Sequence, residues 1–258
     1  MTLRPAISAW LLSLFCCVSA LARAEAPVVV IIIDDLGYEL RSGEMAASLP
    51  GKVNLAILPH TPNGAAVARM GLAAGKEIML HAPMANLNKM PLGAGGLTAG
   101  MSEAELRQTL ADNLASTPGV RGINNHMGSL LTARSRPMSW VMEELSARGL
   151  YFVDSRTTAD TVAGRLADQY GVPHLERHVF LDNEIDSTAI HYRFKEVLAT
   201  ADAQGLAVAI GHPHEATLKY LRRQLRHLEH RGYRLALVSE VLTSRTAATP
   251  RGLAASGR

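Results

Sequence analysis

Two adjacent carboxylates, Asp34 and Asp35, directly follow a run of six β-branched residues at positions 28–33. Such a run predicts a strand that is buried on both faces. Neighbouring carboxylates repel each other unless their roles differ or a cation lies between them. Taken alone, the pair fits a helix cap with a solvated neighbour about as well as it fits a catalytic site. The other polar residues therefore decide between these two interpretations.

The other candidate strands also end in ionisable or amide side chains. Besides the Asp34 pair, these residues are His60, His81, Asn124-Asn125-His126, Asp154-Ser155-Arg156, Asp182-Asn183, His212, His214 and Ser239-Glu240. The carboxyl ends of parallel strands lie on one face of a barrel, and active sites of that architecture are built there. We therefore predict that these residues share one site rather than serving separate structural roles.

Aspartate and histidine at one rim suit a divalent metal of the zinc type. Three protein ligands with one open position define a catalytic site rather than a structural one. Such a metal polarises a carbonyl group and lowers the pKa of bound water toward neutrality, as hydrolysis of an amide or ester requires. A neighbouring carboxylate can accept the proton of the water, and an opposing histidine can protonate the leaving group. In this hypothesis one aspartate of the pair ligates the metal and the other is the base.

Short apolar runs alternate with helical patterns along the chain, which predicts a parallel sheet with crossover helices. The candidate strands cover residues 28–33, 53–58, 77–80, 119–123, 149–153, 178–181, 206–210 and 234–238. Seven or eight such units predict a single α/β domain, a parallel (β/α) barrel of seven or eight strands, either complete or distorted and incomplete. Residues 85–100 form the one long loop, which we predict to be a lid or a wall that faces the substrate.

Both ends of the chain differ in composition from the predicted barrel domain at 25–242. Residues 1–24 combine Arg4, an apolar run and small-residue cleavage signals, which is typical of a secretory signal peptide; an uncleaved anchor is the weaker alternative. This segment contains Cys16 and Cys17, so the mature chain would have neither disulfides nor thiol chemistry. Residues 243–258 are predicted to be a disordered tail. The sequence thus predicts a secreted or periplasmic protein without a stable membrane span after cleavage.

The segments "IIIDDLG", "KEIMLHAPM" and "LAVAIGHPH" resemble the polysaccharide deacetylase superfamily, specifically its divergent branch of exported bacterial proteins. The resemblance covers positions 28 to about 242. It implies that Asp34 is the catalytic base, that Asp35 and His81 are metal ligands, and that His212 is the acid, oriented by a nearby carboxylate. The superfamily's second histidine ligand would stand at position 85, where this sequence has alanine. We predict that His126, at the end of the following strand, replaces it as the third ligand.

The remaining candidates for the site are assigned to substrate binding, each with a structural alternative. His60 could close a turn, Asp154 and Arg156 could form an ion pair that braces the rim, and His214 could cap a helix; Asn125 completes the set.

The predicted function is an exported metal-dependent hydrolase, with zinc as the expected metal. It would remove acetyl or related acyl groups from an amino-sugar polymer or a cell-envelope glycan. One alternative is a catalytically silent carbohydrate-binding or cell-envelope accessory protein on the same barrel, and another is hydrolysis of a different amide, such as a peptide bond of the cell wall. The formal charge of +3, the low aromatic content of 5% and the lack of a nucleic-acid motif predict no nucleic-acid partner.

Overall fold

Nine parallel strands form one sheet in the computed structural model, which describes residues 25–248. They are β1 (Val28–Leu36), β2 (Asn54–Ile57), β3 (Glu77–Met84), β4 (Val120–Met127), β5 (Tyr151–Asp154), β6 (His174–Glu176), β7 (Val179–Phe180), β8 (Leu206–Gly211) and β9 (Arg234–Leu235). Eight α-helices lie in the same range: α1 (Leu40–Ala47), α2 (Gly64–Ala73), α3 (Glu103–Ser116), α4 (Ser135–Arg148), α5 (Ala163–Tyr170), α6 (Ser187–Gln204), α7 (Glu215–Leu225) and α8 (Val238–Ala248).

The order of the strands shows that the sheet curls into a barrel. The order is β6-β5-β4-β3-β2-β1-β8-β7, with β9 paired to β1. β6 and β7 stand at opposite ends of this order, yet only Arg177 and His178 separate them in the chain. Three Cα steps of about 3.8 Å each cannot span more than about 11 Å, so the two ends of the sheet must face each other. The predicted distorted (β/α) barrel is therefore confirmed.

The link between β6 and β7 is fastened to both ends of the sheet. The N–H group of Arg177 donates a hydrogen bond of 2.9 Å to the carbonyl of Asp154 in β5. The N–H group of His178 donates one of 2.8 Å to the carbonyl of Val208 in β8. These bonds join the edges of the sheet through the chain itself, without a direct pairing of β6 with β7.

Residues of β1 alternate between an outer and an inner apolar core. Val29, Ile31 and Ile33 pack outside the barrel with residues of α1, α2, α6 and α7. Val30 and Ile32 pack inside it, together with Met79, Val153, Leu175, Val208 and Ile210. The apolar run at positions 28–33 is thus a strand buried on both faces, as the sequence predicts. A second outer core fills the space between β3 to β5 and α3 to α5.

The last helix closes the N-terminal end of the barrel. Val241 and Leu242 of α8 belong to the interior core. The first N–H groups of α8 are capped by side chains at the starts of β2 and β3: Val238 donates to Asn54 Oδ1 and Ser239 to Glu77 Oε1, both at 3.0 Å. Residues 243–248, which the sequence assigns to a disordered tail, are therefore helical, a correction that places the end of the domain beyond residue 242.

The predicted signal peptide at 1–24 and the remainder of the predicted tail, 249–258, lie outside the described residues. Between residues 25 and 248, no helix combines the length and apolarity that crossing a bilayer requires.

Candidate metal centre and active site

The inward-facing layer at the carboxyl end of the barrel is polar. Six strands carry an interior apolar side chain that is followed, two positions later, by a polar residue within the strand or just past its end. These polar residues are Asp34, His81, Ser155, Arg177, Asp182 and His212. Asn124 joins them from β4, because its neighbour Ile123 faces the outer core. Since side chains alternate along a strand, all of these residues are directed toward the barrel axis. The fold thus converts the scattered strand ends of the sequence into one layer.

Three ligand-type atoms meet at the rim of this layer, from β1, β3 and β4. Asp35 Oδ1 lies 3.0 Å from His81 Nε2 and 2.9 Å from His126 Nδ1. The two imidazole nitrogens are 3.1 Å apart, and the rings meet edge to face with centroids separated by 4.9 Å. The three atoms form a nearly equilateral triangle, with one ligand atom from each residue.

The residues of this triangle fit a divalent metal. Asp35 Oδ1 is buried and has no partner with hydrogen-bond geometry among the described residues, although two ring nitrogens lie within 3.0 Å. The two ring nitrogens are within hydrogen-bond distance of each other, and Asp35 Oδ1 completes a compact set of three donor atoms that a cation could bridge. A tetrahedral zinc ion with bonds of about 2.0–2.1 Å holds its ligand atoms about 3.3 Å apart, close to the spacing here. Two imidazoles and one carboxylate are also a donor set of catalytic zinc sites.

Asn124 connects the triangle to the second aspartate. His81 Nδ1 lies 2.7 Å from Asn124 Oδ1, which places the ring proton on Nδ1 and leaves Nε2 free to ligate a metal. The amide group of Asn124 in turn donates a hydrogen bond of 2.7 Å to Asp34 Oδ1. One buried amide thereby fixes both the tautomer of a ligand and the position of the neighbouring carboxylate.

A backbone turn at Asp35 lets both carboxylates serve one site. Asp35 has φ of 55°, in the left-handed region that non-glycine residues seldom occupy. The register between β1 and β2 also shifts between Ile33 and Leu36. Asp34 and Asp35 would otherwise point to opposite faces of the strand. The strained backbone conformation is therefore located where it redirects the side chain of Asp35 toward His81 and His126.

The pKa values of the two aspartates are shifted in opposite directions. Burial raises the pKa of Asp34 above its ordinary value, although His81, His212 and the hydrogen bond from Asn124 act against it. Burial also acts to raise the pKa of Asp35, but His126 and His81 outweigh it and hold that pKa well below its usual range. Asp35 therefore favours the ionised form, which suits a metal ligand, whereas Asp34 has the higher proton affinity, which suits a base.

His212 is oriented by a buried carboxylate. Its Nδ1 donates to Asp182 Oδ1 at 2.8 Å, and its backbone N–H donates to Asp182 Oδ2 at 2.7 Å. Thr217 Oγ1 also donates to Oδ2, at 2.7 Å. Burial acts to lower the pKa of His212, but the hydrogen bond to Asp182 and the charges of Asp182, Asp34 and Asp35 raise it to about 9. His212 is therefore protonated at neutral pH.

Asp182, His212 and His214 form a second group of ligand-type atoms within 4.8 Å of one another. Both carboxylate oxygens of Asp182 are already occupied by the three hydrogen bonds from His212 and Thr217. This group therefore fits a carboxylate–histidine pair that transfers a proton rather than a metal site.

The structure brings Asp34, Asp35, His81, His126 and His212 together, but it gives other contacts to most predicted substrate-binding residues. His60 Nε2 lies 3.0 Å from Asn113 Oδ1 and is fastened to α3. His214 is the residue before α7, with its ring centroid 6.0 Å from that of His212. Contact of these side chains with substrate stays a prediction.

The other predicted substrate-binding residues stabilise the loops after β4 and β5. Asn125 donates to the carbonyl of Met127 and accepts from the N–H of Ser155. Asp154 is buried and accepts from the N–H of Arg156 and from Thr161 Oγ1. The side chain of Arg156 pairs with Glu176 at 2.8 Å rather than with Asp154.

Arg177 is a residue of the polar layer that sequence reasoning missed. Its Nε donates to the carbonyl of Ser155 and its Nη2 to the carbonyl of Arg156. Its guanidinium lies 3.8 Å from the ring centroid of Phe180, which in turn stacks on His212 with centroids 6.0 Å apart. The strand that positions Arg177 has only three residues, so no periodic signal pointed to it.

A pocket of about 390 Å³ opens beside the metal-ligand triangle. Its walls are Asp35, His126, Tyr38, Leu58, Pro59, Pro83, Pro91, Leu92, Gly93 and Ala94. Four of these residues, 91–94, belong to the long loop between β3 and α3. That loop therefore faces the candidate site as a wall.

Comparisons with known proteins identify a family and relatives of this chain. A family model described as divergent polysaccharide deacetylase matches residues 31–242. An uncharacterized protein of Haemophilus influenzae is 35% identical over 200 residues, which cover 78% of this chain and 71% of that protein. The uncharacterized protein YibQ of Escherichia coli K12 is 35% identical over 214 residues, covering 81% and 67%. The crystal structure of an uncharacterized protein from Agrobacterium tumefaciens C58 has the same fold, with a TM-score of 0.81 at 22% identity and coverage of 85% and 91%.

Proposed function

Because the chain belongs to the divergent polysaccharide deacetylase family, we propose that it is a metal-dependent hydrolase of an acylated amino-sugar polymer or cell-envelope glycan. The observation that carries this proposal is the triangle of Asp35, His81 and His126, flanked by Asp34 and His212. A metal-ligand set, a proton acceptor and a proton donor are the groups that amide hydrolysis requires.

The triangle would hold a divalent metal, for which zinc is the proposed identity because its donors are two imidazoles and a carboxylate. When bound, such an ion supplies Lewis acidity and makes water acidic enough to deprotonate near neutral pH. Asn124 keeps His81 in the tautomer that ligates through Nε2. Side chains of the protein, Asp34 and His212, would then accept and donate the protons.

Asp34 is the proposed general base. It is buried, lies 3.7 Å from His81 Nε2 and has a pKa raised by burial. It would take a proton from the attacking water as the water oxygen bonds to the carbonyl carbon. The amide hydrogen bond from Asn124 keeps one carboxylate oxygen in place, which leaves the other available for the proton.

His212 is the proposed general acid. It would give its Nε2 proton to the nitrogen of the leaving amino sugar as the carbon–nitrogen bond breaks. Asp182 holds the ring through Nδ1 and stabilises its charged form, which is the form that donates. The products are a carboxylate and a free amine.

Export to the periplasm or beyond stays a prediction, because it depends on residues 1–24, which lie outside the described residues. A glycan of the cell envelope is the substrate that this location would offer. The family description supports a carbohydrate substrate without specifying the sugar or the acyl group.

Metal analysis combined with a hydrolysis assay tests the proposal. The purified protein should contain about one equivalent of divalent metal and release acetate from N-acetylated chitooligosaccharides. Asp35→Ala should lose both the metal and the activity, whereas His178→Ala, outside the triangle, should keep both. A protein that binds metal but hydrolyses no acylated sugar would contradict the proposal and favour an accessory protein that binds carbohydrate.

A further inference from the structure

The 390 Å³ pocket beside the triangle lies on the side of the site away from the proposed acid. Its walls come from the ends of β2 and β3 and from the loop that follows β3, together with Asp35, Tyr38 and His126. His212 follows β8, which lies on the other side of β1 in the sheet. Neither Asp34 nor His212 lines the pocket.

This arrangement decides which part of a substrate enters the pocket. During hydrolysis the carbonyl carbon is bonded to its own oxygen, to the incoming water, to the leaving nitrogen and to the acyl chain. The water must face Asp34, and the leaving nitrogen must face His212. The carbonyl oxygen would face the metal-ligand triangle. The acyl chain is therefore the substituent that can extend into the pocket, whose walls include neither Asp34 nor His212.

The chemistry of the walls agrees with this orientation. Apart from Asp35 and His126, the residues lining the pocket are uncharged, and most are aliphatic or proline. The hydroxyl groups of a sugar ring placed there would find few polar partners besides Asp35, Tyr38 and His126. An apolar chain would instead gain free energy from each methylene group removed from water.

The volume exceeds what an acetyl group needs. A group the size of one water molecule occupies about 30 Å³, and the methyl group of acetate is of that order. The pocket is more than ten times larger. Its size lies within the range of about 300–1,000 Å³ that is common for sites of small organic ligands.

We propose that this pocket binds the acyl chain of the substrate and that the preferred chain is longer than acetyl, an apolar group of four or more carbons. The proposal rests on the proposed hydrolase function and names its acyl specificity. Leu92 and Ala94 of the loop are then residues that determine specificity.

A series of substrates with different chain lengths tests the proposal. N-acyl chitooligosaccharides and 4-nitrophenyl esters with chains of two to eight carbons would be compared by kcat/KM. We expect kcat/KM to rise about fourfold for each added methylene, which is about fifteenfold from acetyl to butanoyl. Dissociation constants of acetate, butanoate and hexanoate, measured by calorimetry, should fall by similar factors without any turnover.

Two loop variants and a matched control locate the effect. Ala94→Phe should fill the pocket and shift the preference to acetyl, and Leu92→Asn should weaken the dependence on chain length by introducing a polar side chain with the same branching at Cγ. Leu87→Phe serves as the control, because Leu87 is exposed on the same loop but does not line the pocket. Thermal unfolding and metal content of each variant would establish that the fold is intact.

The outcomes separate this inference from the proposed function. Hydrolysis that is fastest with acetyl, together with butanoate binding no tighter than acetate, would overturn the inference and leave the hydrolase function standing. Tight butanoate binding that Ala94→Phe abolishes would support the pocket even if no substrate were hydrolysed, a result that would contradict the hydrolase function alone.

Discussion

Replacing Asp182 with asparagine should lower the pH above which the proposed hydrolytic activity is lost. Asp182 contributes both a hydrogen bond and a negative charge to His212, and these raise the pKa of the imidazole to about 9. In Asp182→Asn the charge is gone, while burial still acts to lower the pKa. The charges of Asp34 and Asp35 still act to raise the pKa of His212 and burial to lower it, so this pKa should fall from about 9 toward the ordinary histidine value of about 6.5.

The size of the effect follows from the protonated fraction of His212. At pH 8 a group with a pKa of about 9 is about 90% protonated, whereas one with a pKa of about 6.5 is about 3% protonated. A general acid works only in its protonated form, so its contribution is lost as pH rises through its pKa. The alkaline limb of kcat/KM should therefore move from near pH 9 toward about pH 6.5, and activity at pH 8 should fall by up to about thirtyfold.

Two measurements check this expectation. Nuclear magnetic resonance of labelled histidine would give the pKa of His212 directly. The pH profile of kcat/KM would give the position of its alkaline limb. An amide substrate should show the full loss, while an aryl ester, whose leaving group needs little protonation, should show much less. Thr217→Val is the matched control, because it removes one hydrogen bond from Asp182 but keeps the charge. An alkaline limb that stays at the same pH in Asp182→Asn would refute the assignment of the acid.

Three further substitutions test the division of roles at the site. Asp34→Asn should keep fold and metal because the two side chains are nearly isosteric, yet lose about a hundredfold or more in kcat; full activity would exclude Asp34 as base. His126→Ala should strongly weaken metal affinity in a chelator competition, whereas His178→Ala should not, because His178 accepts a hydrogen bond from Val208 instead of joining the triangle. Asn124→Ala should lower metal affinity by about tenfold to a hundredfold, since it removes the partner of a ligating imidazole; an affinity equal to that of the parent would contradict this role.

The barrel was predictable because its signals are local. An apolar run buried on both faces predicts β1, and the recurrence of such runs predicts the parallel sheet. α3 begins with a capping box of Ser102 and Glu105, a signal that lies within four consecutive residues of the sequence. The assembly of Asp35, His81 and His126 follows from the same reasoning, because the ends of parallel strands share one face.

The missed elements depend on contacts that are distant in sequence. The first N–H groups of α8 donate to the side chains of Asn54 and Glu77. These acceptors lie 184 and 162 residues before Val238 and Ser239 in the sequence. Its buried residues Val241 and Leu242 precede a segment of small and polar residues that resembles a tail. β6 has three residues and pairs only with β5, so it is too short for a periodic pattern. The sequence also gave no means of choosing the carboxylate that orients His212.

The alanine at position 85 is explained by the direction of its side chain. Ala82 and Met84 of β3 belong to the outer core between the sheet and α3 to α5, and Ala85 packs against the same cluster. Both backbone polar groups of Ala85 are hydrogen-bonded. Its N–H donates to the carbonyl of Leu97, and its carbonyl accepts from the N–H groups of Leu130 and Leu131. A histidine at position 85 would therefore enter the outer core rather than reach the metal-ligand triangle.

The register of the neighbouring strand brings the proposed replacement ligand, His126, to the site. β3 and β4 pair His81 with Asn124 and Pro83 with His126, so His126 faces the barrel interior one step diagonally from His81. Its Nδ1 reaches within 3.1 Å of His81 Nε2. A loop that carries a metal ligand must hold a fixed geometry, whereas here the loop after β3 carries none. Instead it lines the pocket with Pro91 to Ala94, so the proposed position of the third ligand on β4 would link the metal centre to the proposed acyl specificity.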